Sequence, residues 1–464
     1  MTIANCQLTI NPKKYSKVEN SLKQYIELYQ ADPEVVSRGS AGALNDARAA
    51  ALEALVGTWL PTTKTPDYEK TSINEMFAPD YGMNLQRVAM PVDIAASFKC
   101  DVPNMSTLQA YVVGDTFVPS ARLAANLPEG VLFCSLKEAA KNRPELVAKY
   151  YNTIAPASEP GVALNTLFAQ DGVFLYVPDG VELDKPLQLV NIFSAPIPMA
   201  AFRRVLIVLG RGAHAQLLVC DHTQDTEHAY LSSQVVEIAL GDGARLEYCE
   251  MEESSEKTSR FSQLFADQQR DSYLNLTGVT LTCGTTRNNY VVSLSGEHAE
   301  ARLAGMAVND EHRHVDNCTN VRHVAPRCHS NQLFKYVLDG SSTGAFEGEI
   351  LVTPTARFTE AYQTNRNILA SREAKMHTTP RLLIYDDDVK CSHGATTGQL
   401  DSEALFYMQT RGIPLTEART MLMQAFMVDV IDSVGIEGLR DRLRHLTERR
   451  FSGEDFCGSC AMKK

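Results

Sequence analysis

A thiol and an imidazole two residues apart, Cys391 and His393, are the most chemically suggestive pair in this 464-residue chain. They lie in YDDDVKCSHGATTGQLD (Tyr385 to Asp401), a polar connector that also carries Asp386, Asp387 and Asp388. Connectors of this kind often carry binding and catalytic groups. In an extended segment residues i and i+2 project to one face, so the pair offers a soft sulfur and a borderline nitrogen donor, half of a site for iron. A cysteine packed in a last coil and a histidine bonded in a turn account for the same residues. The three adjacent acids read as a solvated loop, not as paired catalytic carboxylates.

Two further groups have metal or thiol chemistry within reach. His312, His314, Cys318, His323, Cys328 and His329 form a His/Cys-rich run. On a strand His312 and His314 would share a face, but no pair in the run has zinc-finger spacing, and polar ladders along a stacked sheet explain it equally well. Near the C-terminus, Cys457-Gly-Ser-Cys460 is a CxxC able to form a disulfide, bind metal or pass sulfur. It has no second CxxC and no βαβ context. No GxxxxGK[ST] phosphate loop occurs, so any ATP-driven step needs a partner.

Composition narrows the function classes. A net charge of −12 argues against a surface that tracks nucleic-acid phosphates. Eleven scattered cysteines do not form the framework of a secreted disulfide protein, and a reducing compartment fits better. The opening MTIANCQLTINPKK lacks a charged-then-apolar leader and no apolar run is long enough to span a bilayer, so the expected setting is cytoplasmic.

The elements that must position these residues change texture along the chain. Val18, Leu22, Tyr25, Ile26 and Tyr29 recur at helical spacing, Ala41 to Leu60 repeats the pattern, and a further helix is expected around Leu136 to Ile154, with a strand at Ala110 to Phe117. Past Gly172 come short β-branched runs separated by glycines. Gly180, Gly212 and Gly243 follow one another at 32 and 31 residues, with a looser copy at Gly296. Such a period, built from strands and turns without helices, predicts stacked coils of a β-solenoid, the alternative being an irregular antiparallel sandwich. Beyond Asp401 helices return. Asp401 is expected to cap the first, with Gly412 after it, and Thr416 to cap a second whose stripe is Met421, Leu422, Ala425, Phe426, Val430 and Ile431. Glu437 to Leu446 reads as a charged surface helix. The resulting division is an N-terminal helical/α+β domain (1–165), a mainly β solenoid core (166–395), a C-terminal helical domain (396–450) and a flexible tail with the CxxC (451–464).

The run FTEAYQTNRNILAS (Phe358 to Ser371), followed by HTTPRLLIYDDDVKCSHGATTGQLDSEALFYMQTRGI (His377 to Ile413), closely resembles the C-terminal signature of the SufB/SufD family of iron–sulfur cluster assembly proteins, on its SufD side. Thinner likeness covers His312 to Pro326, Phe334 to Val352 and Pro61 to Ile73. The resemblance implies a right-handed parallel β-helix flanked by helical domains. It also implies a non-catalytic scaffold that pairs with a SufB-like subunit through the β-helix and binds a SufC-like ABC ATPase through the C-terminal helices. By position, His393 corresponds to the histidine at the SufB–SufD interface where a transient iron–sulfur cluster is built, and Cys391 is its neighbour. Leu405, Phe406, Tyr407 and Arg411 fall in the region that docks on the ATPase. No tightly bound cofactor is expected on the isolated chain, which could be a homodimer. Rivals are a SufB-like primary scaffold and a carbohydrate-active β-helix enzyme.

Overall fold

The computed structural model describes residues 19–90, 92–93, 107–120, 123–224 and 226–452. Cys457 and Cys460 lie outside the described residues. The N-terminal region is built from short helices, among them Leu22–Ala31, Arg48–Leu55, Leu136–Asn142, Pro144–Tyr150 and Pro160–Phe168. The single helix expected around Leu136 to Ile154 is two, because Pro144 lacks the N–H an unbroken helix would use and instead opens the second. Its strands are β1 (Gly82–Met83), the hairpin β2 (Leu108–Val113) and β3 (Thr116–Pro119), and β4 (Leu132–Ser135).

From β5 (Val173–Val177) and β6 (Leu187–Phe193) onward the chain winds into a solenoid of about eight turns. Odd-numbered strands stack into one sheet: β7 (Met199–Leu209), β9 (Tyr230–Leu240), β11 (Thr258–Gln268), β13 (Thr285–Leu294), β15 (His314–His323), β17 (Thr343–Val352) and β19 (Lys375–Ile384). Even-numbered strands form the other: β8 (His214–Thr223), β10 (Arg245–Glu253), β12 (Tyr273–Thr282), β14 (Glu300–Asn309), β16 (His329–Leu338), β18 (Glu360–Leu369) and β20 (Lys390–Gly398). All pairings between these coils are parallel, which the β-branched, two-sided burial of strands such as MAAFRRVLIVL suits.

The glycine period has a direct cause. Gly180, Gly212 and Gly243 adopt φ of +71°, +61° and +68°, and each N–H bonds the carbonyl of the next coil's turn, at Arg211, Asp242 and Arg270. The ladder continues through Asp271, His298, Arg327 and Phe358, all at positive φ, bonding Glu297, Pro326, Arg357 and Asp388. The looser copy expected at Gly296 is therefore two residues early; His298 holds the turn position.

Leucine, valine and isoleucine from both sheets fill the interior. Helices cover the outer faces unevenly. Pro160–Phe168 and the Tyr25, Phe77 and Phe168 aromatics sit on Ala200, Phe202, Leu231 and Phe261 of β7, β9 and β11. On the opposite sheet the C-terminal helices Leu415–Ser433 and Glu437–Phe451 fold back over β8 to β16, where Met427, Ile431, Leu439 and Leu443 pack on Cys249, Met251, Val279 and Met306. Each such side chain contributes about 2 kcal/mol by leaving water. The helix expected at the surface thus has a buried leucine face, its charges turned outward. The second helix starts at Leu415 after Pro414, so Thr416 lies inside its first turn. Its buried stripe is Ala418, Met423, Met427, Val430 and Ile431, while Met421 and Ala425 face solvent. None of the helices among the described residues is long and apolar enough to cross a membrane.

Candidate functional site

Neither helical region covers the free edge of the last coil. In β18 the inward positions Ala361, Gln363, Asn365 and Asn367 are buried, and the register sets Cys391, His393, Ala395 and Thr397 of β20 beside them. Strand alternation places those four on the same inward row. No further coil lies on β20, so this row, enclosed everywhere else in the solenoid, opens at the surface: His393 is exposed and Cys391 half-buried. The sulfur leans on Ile350, Val352, Ala356 and Ala361, and that burial pushes the Cys391 thiol above its ordinary range. It is protonated at neutral pH, and a metal would have to displace its proton.

Both terminal strands also leave a backbone edge. Lys390 N–H bonds Thr359 of the β18 side, so by alternation the amides of Cys391, His393, Ala395 and Thr397 face outward from the sheet. On β19, Lys375 N–H bonds Ser342, which leaves position 380 on the outward side. That residue is Pro380, whose missing N–H costs no internal bond there. The acids Asp386 and Asp388 form the connecting turn, with Asp386 Oδ1 accepting from Asp388 N–H at 2.9 Å.

The helix Ser402–Thr410 follows at once. Asp401 Oδ1 accepts from the N–H groups of Glu403 (2.9 Å) and Ala404 (3.3 Å), and Gly412 sits at φ +87°. Both expectations for this helix's ends hold. No residue of the helix is buried. Phe406 is 69% and Tyr407 59% exposed, Leu405 is half-buried, and the Arg411 guanidinium lies 5.1 Å from the Tyr407 ring centre.

The His/Cys-rich run comes apart in space. His312 is exposed in the turn before β15, so it shares no strand face with His314. His314 bonds Thr71 Oγ1 (2.8 Å) and Thr343 Oγ1 (2.6 Å) on the outer face, whereas His323 points inward to Ser330 Oγ (2.8 Å). Cys328 Sγ donates to the Gly296 carbonyl at 3.2 Å, and His329 is exposed on the other sheet. Among the described residues no three His, Cys, Asp or Glu groups come together as a metal site.

Residues 192–426 match the family described as "SUF system FeS cluster assembly, SufBD core domain", and residues 19–189 match the "SufBD protein N-terminal region". The chain belongs to the SufBD family. Among its curated relatives, an iron–sulfur cluster assembly SufBD family protein of Synechocystis is 27% identical over 87% of this chain and 90% of its own length. The iron–sulfur cluster assembly protein SufD of Escherichia coli is 25% identical over 87% and 92%. The SufD of Bacillus subtilis is 26% identical over 73% and 78%. The SufBD core match spans the open coil and the helix Ser402–Thr410.

Two features of this SufBD chain are missed by reading its sequence. The alternation Ala361, Gln363, Asn365, Asn367 has the pattern of a solvated face, yet these side chains are buried. The segment around Asp67 to Thr71 crosses to the last coils, and only side chains remote in sequence reveal it.

Proposed function

We propose that this protein is a SufD-type, non-catalytic subunit of an iron–sulfur cluster assembly complex. It pairs with a SufB-like chain through the open end of its solenoid and docks an ABC ATPase through the helix Ser402–Thr410, and the cluster under construction is cargo at the seam next to His393. The observation that carries this reading is the uncapped final coil, a parallel sheet edge with outward amides and His393 exposed on its inward row. Unpaired edges of this kind are normally blunted or covered, because they template pairing with another chain. A partner built as the same kind of solenoid would present a matching edge at its own open end. The exposed aromatic face of Phe406 and Tyr407, on a helix with no buried residue, suits a second partner. SufD-named relatives and the CSHGAT signature favour the SufD side of the family.

In this arrangement His393 supplies an imidazole donor from one chain while the partner supplies the remaining ligands. Cys391, held protonated by burial, is the secondary donor. The experiment is co-purification from the native cell after a high-salt wash, with mass spectrometry of what stays bound. Recovery of a SufB-like chain and an ABC ATPase is expected; a chain recovered alone contradicts the reading.

A further inference from the structure

Beneath His393 the solenoid carries a short ladder of buried amides. Thr319 Oγ1 donates to Gln332 Oε1 at 2.6 Å, and Gln363 Nε2 donates to the same oxygen at 3.2 Å. All three side chains are buried, Gln363 being 2% exposed. Across the interior Gly348 makes room for the Gln363 amide: a Cβ there would come within 2.2 Å of Nε2. The amide nitrogen is thus committed to the coil below, while Gln363 Oε1 is buried with no hydrogen-bond partner. A buried acceptor left unmade costs about 1–3 kcal/mol, so such an atom asks for a donor. The next residue on the same inward row, in direct register with Gln363, is His393.

We propose that Gln363 is a positioning residue for His393: its Oε1 accepts one imidazole N–H and so holds the ring in a single tautomer, with the other nitrogen's lone pair directed out of the open end. This rests on His393 being the donor to the nascent cluster, and it supplies what a histidine ligand normally has, a hydrogen bond on its second nitrogen that sets tautomer and orientation. The contacts from Thr319 through Gln332 hold the Gln363 side chain in place beneath the site.

The test is nitrogen-15 NMR of the full-length chain, which reads His393 directly and needs no cluster. The native chain is expected to show one imidazole tautomer. Gln363→Met removes the acceptor at similar volume, and the single-tautomer signature should be lost while the thermal unfolding profile shows that the chain is folded. Gln363→Glu restores an acceptor and should recover the single tautomer. An unchanged His393 spectrum in both variants overturns the proposal. Loss of the tautomer in Gln363→Met without any defect in cluster maturation for His393→Ala would instead leave Gln363's role standing and overturn the role given to His393.

Discussion

Arg381, on the terminal strand β19, donates to Asp67 Oδ1 at 2.6 Å, joining the N-terminal region to the last coil of the solenoid. Around this pair the segment is stapled along the outer face: Tyr68 lies under the Arg287 guanidinium at 4.6 Å and accepts from Asn289 Nδ2, and Thr71 Oγ1 donates to Asp316 at 2.5 Å. Asp67 and Arg381 are both partly exposed, so their ion pair is worth at most about 1 kcal/mol. Asp316 is fully buried, and removing a hydrogen bond from it costs about 1–3 kcal/mol. Thr71→Val should therefore lower the unfolding midpoint more than Asp67→Asn, as thermal melts of the two variants would read.

Glu237 anchors the other contact between the N-terminal region and the sheet. It accepts from the backbone N–H groups of Asn152, Ile154 and Ala155 at 2.9 to 3.0 Å and pairs with Arg204 at 2.5 Å, both side chains fully buried. Glu237→Leu leaves the guanidinium and those amides without the carboxylate, a loss of about 3–5 kcal/mol. Urea unfolding should show it, with earlier proteolysis near Asn152.

Burial pushes the His323 imidazole down to about 3. Below about pH 6.5 the unfolded chain takes up a proton there that the native chain refuses, so this residue's contribution to stability falls as the pH drops from 6.5 toward 3. Glu252, raised to about 7 by burial, acts in the opposite sense: its contribution favours the fold below about pH 4.5 and is lost as the pH rises to 7. His323→Gln should flatten the acid limb of stability against pH by up to about 1.4 kcal/mol per pH unit. An unaltered slope between pH 6 and 4 would contradict the assignment.

The open edge makes a prediction specific to its geometry. Ala395 N–H faces away from β18, so Ala395→Pro removes an outward donor without breaking an internal ladder bond. Gly394 carries the inward bond, and Gly394→Pro serves as the contrasting variant. Ala395→Pro should leave the melting curve near native and weaken binding of the proposed SufB-like partner, measured by titration calorimetry; Gly394→Pro should lower stability as well.

How much of the fold is legible in the sequence follows from where each element gets its stability. The solenoid was legible because Gly180, Gly212 and Gly243 mark left-handed turns, and it faded where Asp271, His298, Arg327 and Phe358 hold the same conformation through the stacked hydrogen bonds of neighbouring coils. The cap at Asp401 and the stop at Gly412 are local and were legible. The face of Leu415–Ser433 was not, because its methionines are split between core and solvent and only the sheet beneath selects Met423 and Met427 over Met421. At the site, Cys391 and His393 stood out by type and spacing. The amide beneath them did not, since buried glutamine and asparagine look solvated until the register is known.

In the proposed function the open end, with His393 on it, is where this chain serves cluster assembly. The direct measurement is cluster formation on the reconstituted complex carrying His393→Ala, followed by absorption and Mössbauer spectroscopy alongside gel filtration of the complex. An intact complex of native stoichiometry that accumulates no cluster is expected. A complex that matures clusters at the native rate without the imidazole, or one that no longer assembles, would contradict it.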